Sequence, residues 1–388
     1  MYIIAAQRTA IGQFQGGLSS LSAPELGAIV VRNILQETKI PVEEIQECLV
    51  GQVLTAGSKQ APARQTALKG GLSSSTPCLT INKVCGSGLK AIMMACDSIA
   101  LKRSHIVIAG GQESMSLSPH LVLNSRSGFR LGDVILKDSI LEDGLLNPYD
   151  NQHMGVMGEM CAEKYKFSRE EQDEFAKKSY EKAQKAQKES WFKNEIVPVT
   201  IKNKKETKII EKDEEPGRIR FEKIPTLPTV FKKQGTITAA NASKINDGAA
   251  FCLLASEEAV KKHNLKPLAR ILTQSTFAQD PLWFTTAPIE SLKKALTQAH
   301  LKIDDIDLFE VNEAFSAVAM AVAKELSIPE ACLNVHGGAV ALGHPIGASG
   351  ARILTSLVHA LKTHHKKRGA ASICLGGGEA LSLIIETC

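Results

Sequence analysis

The chain has 388 residues, 44% hydrophobic and 22% charged, with 46 Lys and Arg against 41 Asp and Glu. That length asks for two or three units whose cores need no covalent staples, and nine cysteines without a CxxC pair argue against both a disulfide scaffold and a zinc module. A net charge of +5, aromatics at 5% and no apolar run near the roughly 20 residues of a membrane helix argue against a nucleic-acid stacking platform and a transmembrane protein.

Tyr2 to Thr9 reads as an apolar strand with no presequence ahead of it, which together with reduced thiols points to the cytoplasm. Ala23-Pro24 opens a helical pattern ending at Lys39-Ile40, followed by Glu43-Glu44-Ile45 and a strand. Val84-Cys85-Gly86-Ser87-Gly88-Leu89 then leads into a helix. A cysteine there lies at the positive end of the helix dipole, which favours thiolate, and its glycine neighbours leave the sulfur open to a bulky acyl donor. The strand from Ile106 ends in Gly110-Gly111-Gln112-Glu113.

From about 115 to 243 the pattern breaks into a polar Met- and Gly-containing stretch, a charged helical run from Arg169 to Lys188, and a Lys/Glu-rich connection through Pro216. An insertion this long is more than a loop, and we read it as a lid over a site made elsewhere. Its lysines form either a solvated helix face or the partner of a phosphate-bearing ligand. Beyond it the first pattern returns. Ala287-Pro288 opens a helix ending near Lys302-Ile303, Asp304-Asp305-Ile306 precedes a strand, Gly347-Ala348-Ser349-Gly350 leads a helix, and Ser372-Ile373-Cys374-Leu375-Gly376-Gly377-Gly378-Glu379 closes the copy. Helices alternating with short apolar strands predict layered α/β halves at 1–265, with the insertion, and 266–388.

Cys85, Cys374 and His344, each flanked by glycine, offer a nucleophile, a second thiol and a base, the local chemistry of thioester exchange. Around them, Asn82-Lys83-Val84-Cys85-Gly86-Ser87-Gly88, Gly111-Gln112-Glu113-Ser114-Met115-Ser116, His153-Met154-Gly155, Gly235 through Asn246-Asp247-Gly248, Asn312-Glu313-Ala314-Phe315, Gly343-His344-Pro345 and the Cys374 segment occur in one order. In these segments the chain resembles the thiolase superfamily over essentially its whole length, and within it the short-chain acetyl-CoA acetyltransferases.

The resemblance implies the thiolase fold, two repeated βαβαβαββ halves with a loop domain inserted in the first. It implies a ping-pong Claisen condensation of two acetyl-CoA to acetoacetyl-CoA through an acetyl-cysteine, with coenzyme A thioesters as substrates and no covalently bound cofactor. Cys85 would carry the acetyl group and Cys374 would move the α-proton. His344 would take the Cys85 proton, Gly376 would supply an oxyanion-hole N–H beside that of Cys85, and Asn312 would fix a water in a second oxyanion hole. Carried over in the same way, Met154 and Phe315 wall the acyl pocket, and Tyr180, Arg218, Lys223 and Ser243 contact coenzyme A. A potassium ion at Tyr180, Ala239, Ala240, Ala242 and Val340 is allowed by the same resemblance, as is a homotetramer built through the 123–144 segment. His336, Glu313 and Glu379 read as architectural.

Two departures from the family pattern bear on the pocket and the last turn. Phe284 stands where many thiolases carry methionine, which changes the acyl-pocket wall, and Ala380 replaces a glycine, which requires a negative φ there. A thiolase of broad chain length from fatty-acid breakdown and a non-catalytic acyl-CoA-binding protein are the competing expectations.

Overall fold

The structure, a computed structural model, describes residues 1–202 and 206–388. The first half contributes strands β1 (Tyr2–Thr9), β2 (Glu47–Gly51), β3 (Cys78–Ile81), β4 (Ile106–Ser114) and β5 (Asn246–Ala255). The second contributes β6 (Ala269–Ala278), β7 (Leu308–Val311), β8 (Arg368–Leu375) and β9 (Glu379–Thr387). Their order is β7-β8-β9-β6-β1-β5-β4-β2-β3. In the first half β1 runs antiparallel to β5, β5 antiparallel to β4, and β4 parallel to β2. The second half repeats this with β6, β9, β8 and β7, so the duplication read from the sequence is a duplication of strand pairing. The halves are joined edge to edge through the pairs Tyr2↔Arg270 and Ile3↔Ala269.

Both proline-led helices form, α1 (Ala23–Thr38) and its counterpart Ala287–Gln298, and each paired-acid segment that follows is a single 3-10 turn. They cover the outer faces of the two halves. Between the halves lie α2 (Ser87–Ala100) and α3 (Ile346–Thr363), which touch each other and strands of the sheet. From Ile346 to Leu361 every residue of α3 is buried, polar ones included, as a helix enclosed on all sides must be. The result is a layered α/β arrangement in which α2 and α3 pack between the halves and the proline-led helices cover the sheet elsewhere.

The insertion holds two helices, Met154–Tyr165 and Arg169–Lys188, and short hairpins. Its second helix starts at Ser168 with reciprocal Ser168–Glu171 capping and buries Ala176, Ser179, Tyr180, Ala183 and Ala186. Its lysines lie on other faces. Lys178 pairs with Glu330 at 2.9 Å and Lys182 donates to the Leu333 carbonyl at 2.9 Å, so the solvated-face reading holds for this run.

The central layer is dense because it is built on backbone. A Cβ on Gly111 would stand 2.0 Å from the Gly347 carbonyl oxygen, and one on Gly88 would stand 2.9 Å from the same atom. Gly111→Ala must therefore move the start of α3, and we expect a loss of about 3 kcal/mol or more in denaturant unfolding. An unchanged midpoint and slope would contradict this close approach.

Candidate active site

Cys85 sits one residue ahead of Gly86, the N-cap of α2, and the turn that holds it is strained. Val84 has φ +47°, a left-handed conformation that a β-branched residue rarely accepts. Ser87 stabilises that turn, its hydroxyl accepting from Lys83 N at 2.8 Å and donating to the Val84 carbonyl at 2.6 Å. The backbone N–H groups of Gly376 and of Cys85 itself favour negative charge on the Cys85 sulfur. The expected resting thiolate is not what forms. Burial outweighs both N–H groups and pushes the thiol up to about 12, and Cys85 lies outside the first helical turn where the dipole acts most strongly.

Cys374, near the end of β8, is buried beside Phe284, Phe315 and Val318, and burial followed by the neighbouring Cys85 raises its thiol well above the usual range. His344 is 6% exposed, and burial, then Arg352, lowers its imidazole to about 3, so it is neutral. Its Nδ1 lies 2.6 Å from the Ser349 hydroxyl, which in turn lies 2.9 Å from the Pro345 carbonyl. That carbonyl only accepts. A hydroxyl donating to it must accept from Nδ1–H, which leaves His344 Nε2 without a hydrogen and fit to take a proton. The hydroxyl turned toward Nδ1 instead gives the opposite tautomer, with Nε2–H as donor. Ser349, which the sequence marked only as part of a helix start, thus sets the His344 tautomer.

Asn312 is fully buried. Its Oδ1 accepts from Arg352 at 3.4 Å, and Arg352 is held by Glu310 at 3.3 Å, while Asn312 Nδ2 has no partner among the described residues. That amide donor is free to bind a water, although Asn312 does not itself line the cavity that Cys85 and His344 share. Glu313 is architectural as expected, accepting from Ser179, Asn334 and the Val340 N–H. His336 stacks with Trp191 and His364. Glu379 pairs with Lys83 at 2.7 Å, and Ala380 lies in regular strand β9 without positive φ.

Cys85, Gly376 and His344 line one predominantly apolar cavity of about 490 Å³, with Met154, Phe284 and Phe315 as further walls and Arg218 and Ser243 also facing it. His153 and Phe231, stacked at 4.6 Å, add a wall that the sequence did not single out. A roomier, more polar cleft of about 1060 Å³ beside Asn33 and Lys193 contains none of these residues.

Three expected ligand contacts take other places. Tyr180 is 2% exposed and packed with Ile11 and Val340, so it does not line the cavity. Lys223 lies in an exposed turn and does not line it either. The carbonyls of Ala240, Ala242 and Val340, grouped for potassium, converge on the Lys244 ammonium instead, and Ala239 faces the cavity. A potassium ion does not fit beside that ammonium.

Residues 1–258 match the model of the thiolase N-terminal domain, and residues 265–387 match that of the thiolase C-terminal domain. The chain belongs to the thiolase family. This thiolase is 46% identical to the acetyl-CoA acetyltransferase of Cupriavidus necator over 99% of its own length and 98% of the relative's. It is 48% identical to acetyl-CoA acetyltransferase IA of Candida tropicalis, over 100% and 97% of the two chains. Among solved structures, the Acat5 thiolase of Ascaris suum, in complex with coenzyme A, superimposes with a TM-score of 0.95 at 44% identity, covering 100% of this thiolase and 99% of that chain. The Bacillus anthracis acetyl-CoA acetyltransferase gives 0.97 at 39% identity, covering 100% and 98%.

A thiol raised to about 12 is ionised only above that pH, so the reactive fraction grows tenfold per pH unit below it. Iodoacetamide modification of the Cys85 peptide, followed by mass spectrometry, should therefore keep rising from pH 6 to about pH 9 without a plateau. A plateau near neutral pH would mean that the two N–H groups overcome burial.

Proposed function

We propose that this thiolase is an acetyl-CoA C-acetyltransferase that reversibly condenses two acetyl-CoA to acetoacetyl-CoA and free coenzyme A. The reading is carried by one arrangement: Cys85, Gly376 and the neutral His344 line one apolar cavity, and the buried thiol of Cys374 lies close enough to Cys85 to feel its charge. In the first half-reaction Cys85 Sγ attacks the thioester carbonyl. Its proton passes to His344 Nε2 and on to the departing coenzyme A sulfur, and the two N–H groups hold the tetrahedral oxygen. In the second, the thiolate form of Cys374 takes an α-proton from another acetyl-CoA, and the resulting carbanion attacks acetyl-Cys85. The C–C bond forms, the Cys85 C–S bond breaks, and the proton held by Cys374 returns to the Cys85 sulfur. During that step His344, as the Nε2–H tautomer, and a water on Asn312 Nδ2 face the second thioester oxygen.

Arg218, exposed where it borders the cavity, suits the phosphates of coenzyme A. Nine free thiols suit a reducing compartment, and we place the protein in the cytoplasm. Among the described residues no helix is long and apolar enough to cross a membrane. Phe129, Leu131, Ile135 and Leu136 are exposed on the 123–144 segment, an apolar patch that symmetric association of copies would cover, and we propose a homotetramer built as a dimer of dimers. Light scattering at micromolar protein should give the tetramer mass; a stable dimer would contradict it.

Acetyl-CoA alone should leave a single acetyl group on the Cys85 peptide. Cys85→Ala should lose both acetylation and turnover, whereas Cys374→Ala should still be acetylated but lose condensation and α-proton exchange. Equal loss of acetylation in both variants would remove the division of roles. Because Phe284 is packed with Met157, Ile237 and Phe315, extra methylenes must displace buried side chains. Acetoacetyl-CoA should then exceed 3-ketohexanoyl-CoA by at least about tenfold in kcat/KM. Comparable rates would favour a broad-range thiolase.

A further inference from the structure

Lys244 is held in a way unlike the other lysines among the described residues. Its ammonium donates to the carbonyls of Val340 at 2.7 Å, Ala242 at 3.0 Å and Ala240 at 3.5 Å, and stands 4.9 Å from the centre of the Tyr180 ring. No carboxylate among the described residues lies within ion-pair distance of it, and Glu215 and Glu313 act on its charge from farther away. Three converging carbonyls and a π face replace water around a cation without a counter-anion in contact. An ammonium has three hydrogens, and here each has a carbonyl to meet.

The connections made by Lys244 run through the proposed site. Val340 lies four residues before His344, and its N–H donates to Glu313, the residue after Asn312. The main-chain carbonyl of Lys244 accepts the His344 N–H at 3.2 Å, and Asn246 Oδ1 accepts the same N–H at 2.9 Å. Lys244 therefore grips the 340–344 segment twice, once with its side chain and once with its backbone. Lys244 itself, half-buried, lines the cavity together with Ser243 and Ala242.

We infer that Lys244 is a built-in cation: a positioning residue whose ammonium fixes the His344 segment to the Ala239–Ser243 strap and makes this site indifferent to potassium. The catalytic part of this inference rests on the proposed acetyl-transfer reaction. The structural part does not. Removing the side chain down to Ala leaves three carbonyls and a ring face around a space of cation size, whereas Met fills that space with an apolar chain that satisfies none of the carbonyls.

The test compares wild type, Lys244→Ala and Lys244→Met in KCl and in choline chloride at matched ionic strength, by thermal melting and by acetoacetyl-CoA thiolysis. Wild type should melt at the same temperature and turn over at the same rate in both salts. Lys244→Ala should lose about a hundredfold in kcat with a smaller change in KM, as expected for a displaced base. KCl should raise its melting temperature and restore part of that kcat, while Lys244→Met should gain nothing from KCl. A wild-type melting temperature that climbs with KCl, or a Lys244→Ala enzyme with wild-type kcat, would overturn the inference. So would KCl acting equally on both variants. If Lys244→Ala does not fold, two wild-type readouts decide: the melting comparison between salts, and reductive methylation, in which Lys244 should be protected until unfolding. Methylation of native Lys244 at the rate of exposed lysines would refute the capture of its ammonium by the three carbonyls. A wild-type protein inactive on acetoacetyl-CoA would overturn the proposed reaction while leaving the melting and methylation results to stand or fall on their own.

Discussion

The backbone of Gly347, at the start of α3, lies against Gly88 in α2 and Gly111 in β4, so closely that no side chain could stand between them. Each half contributes one glycine-led helix to this contact, and the chain just ahead of each helix carries the chemistry: Cys85 before α2, His344 before α3. Glu113 completes the junction. Its buried carboxyl accepts from Val53 and Leu54 in the first half and from Gly347 in the second, and burial raises it to about 7. The corresponding end of β8 in the second half supplies Cys374 and Gly376. Duplication explains the geometry, since equivalent strands end at equivalent places, and the two copies diverged into different tasks at one meeting point.

Local sequence was sufficient wherever local forces decide. The proline-led helices, the paired-acid turns and the glycine-led helices follow from propensity and capping and all are present, although the second proline-led helix stops at Gln298, short of the expected Lys302-Ile303. Cys85, His344 and Gly376 were legible because glycine neighbours mark positions where backbone or ligand must approach closely. The protonation state of Cys85 was not legible. It depends on how much water is excluded from a cavity assembled from distant segments, and a dipole argument made on a single helix misses that cost. Tyr180 was misplaced for a related reason: on an amphipathic helix its spacing fits either face, and tertiary contacts with Ile11 and Val340 turned it inward.

Lys244 is the clearest case of a residue hidden from sequence reading. A lysine following Ala240-Asn241-Ala242-Ser243 reads as one more surface charge, and only the convergence of carbonyls from two separate segments gives it a role. Ser349 was hidden in the same sense, as one small residue among glycines until its hydroxyl was found between Nδ1 of His344 and the Pro345 carbonyl. Both act through a group whose partner lies elsewhere in space or in the turn. Such residues carry no motif of their own.

The electrostatics of the two thiols bear on the order of the proposed half-reactions. Burial raises both, and a charge on Cys85 further raises Cys374, so the cavity disfavours two thiolates at once. In the free enzyme the N–H groups of Gly376 and Cys85 favour charge on Cys85, the sulfur that must attack first. Once Cys85 is acetylated its sulfur can no longer ionise, and the like-charge penalty on Cys374 disappears. The same two N–H groups then face a carbonyl oxygen instead of a sulfur anion. Acylation would therefore remove the second of the causes that raise Cys374 and leave burial, the largest one, in place. Two buried thiols that disfavour simultaneous charge would in this way favour the proposed order of half-reactions.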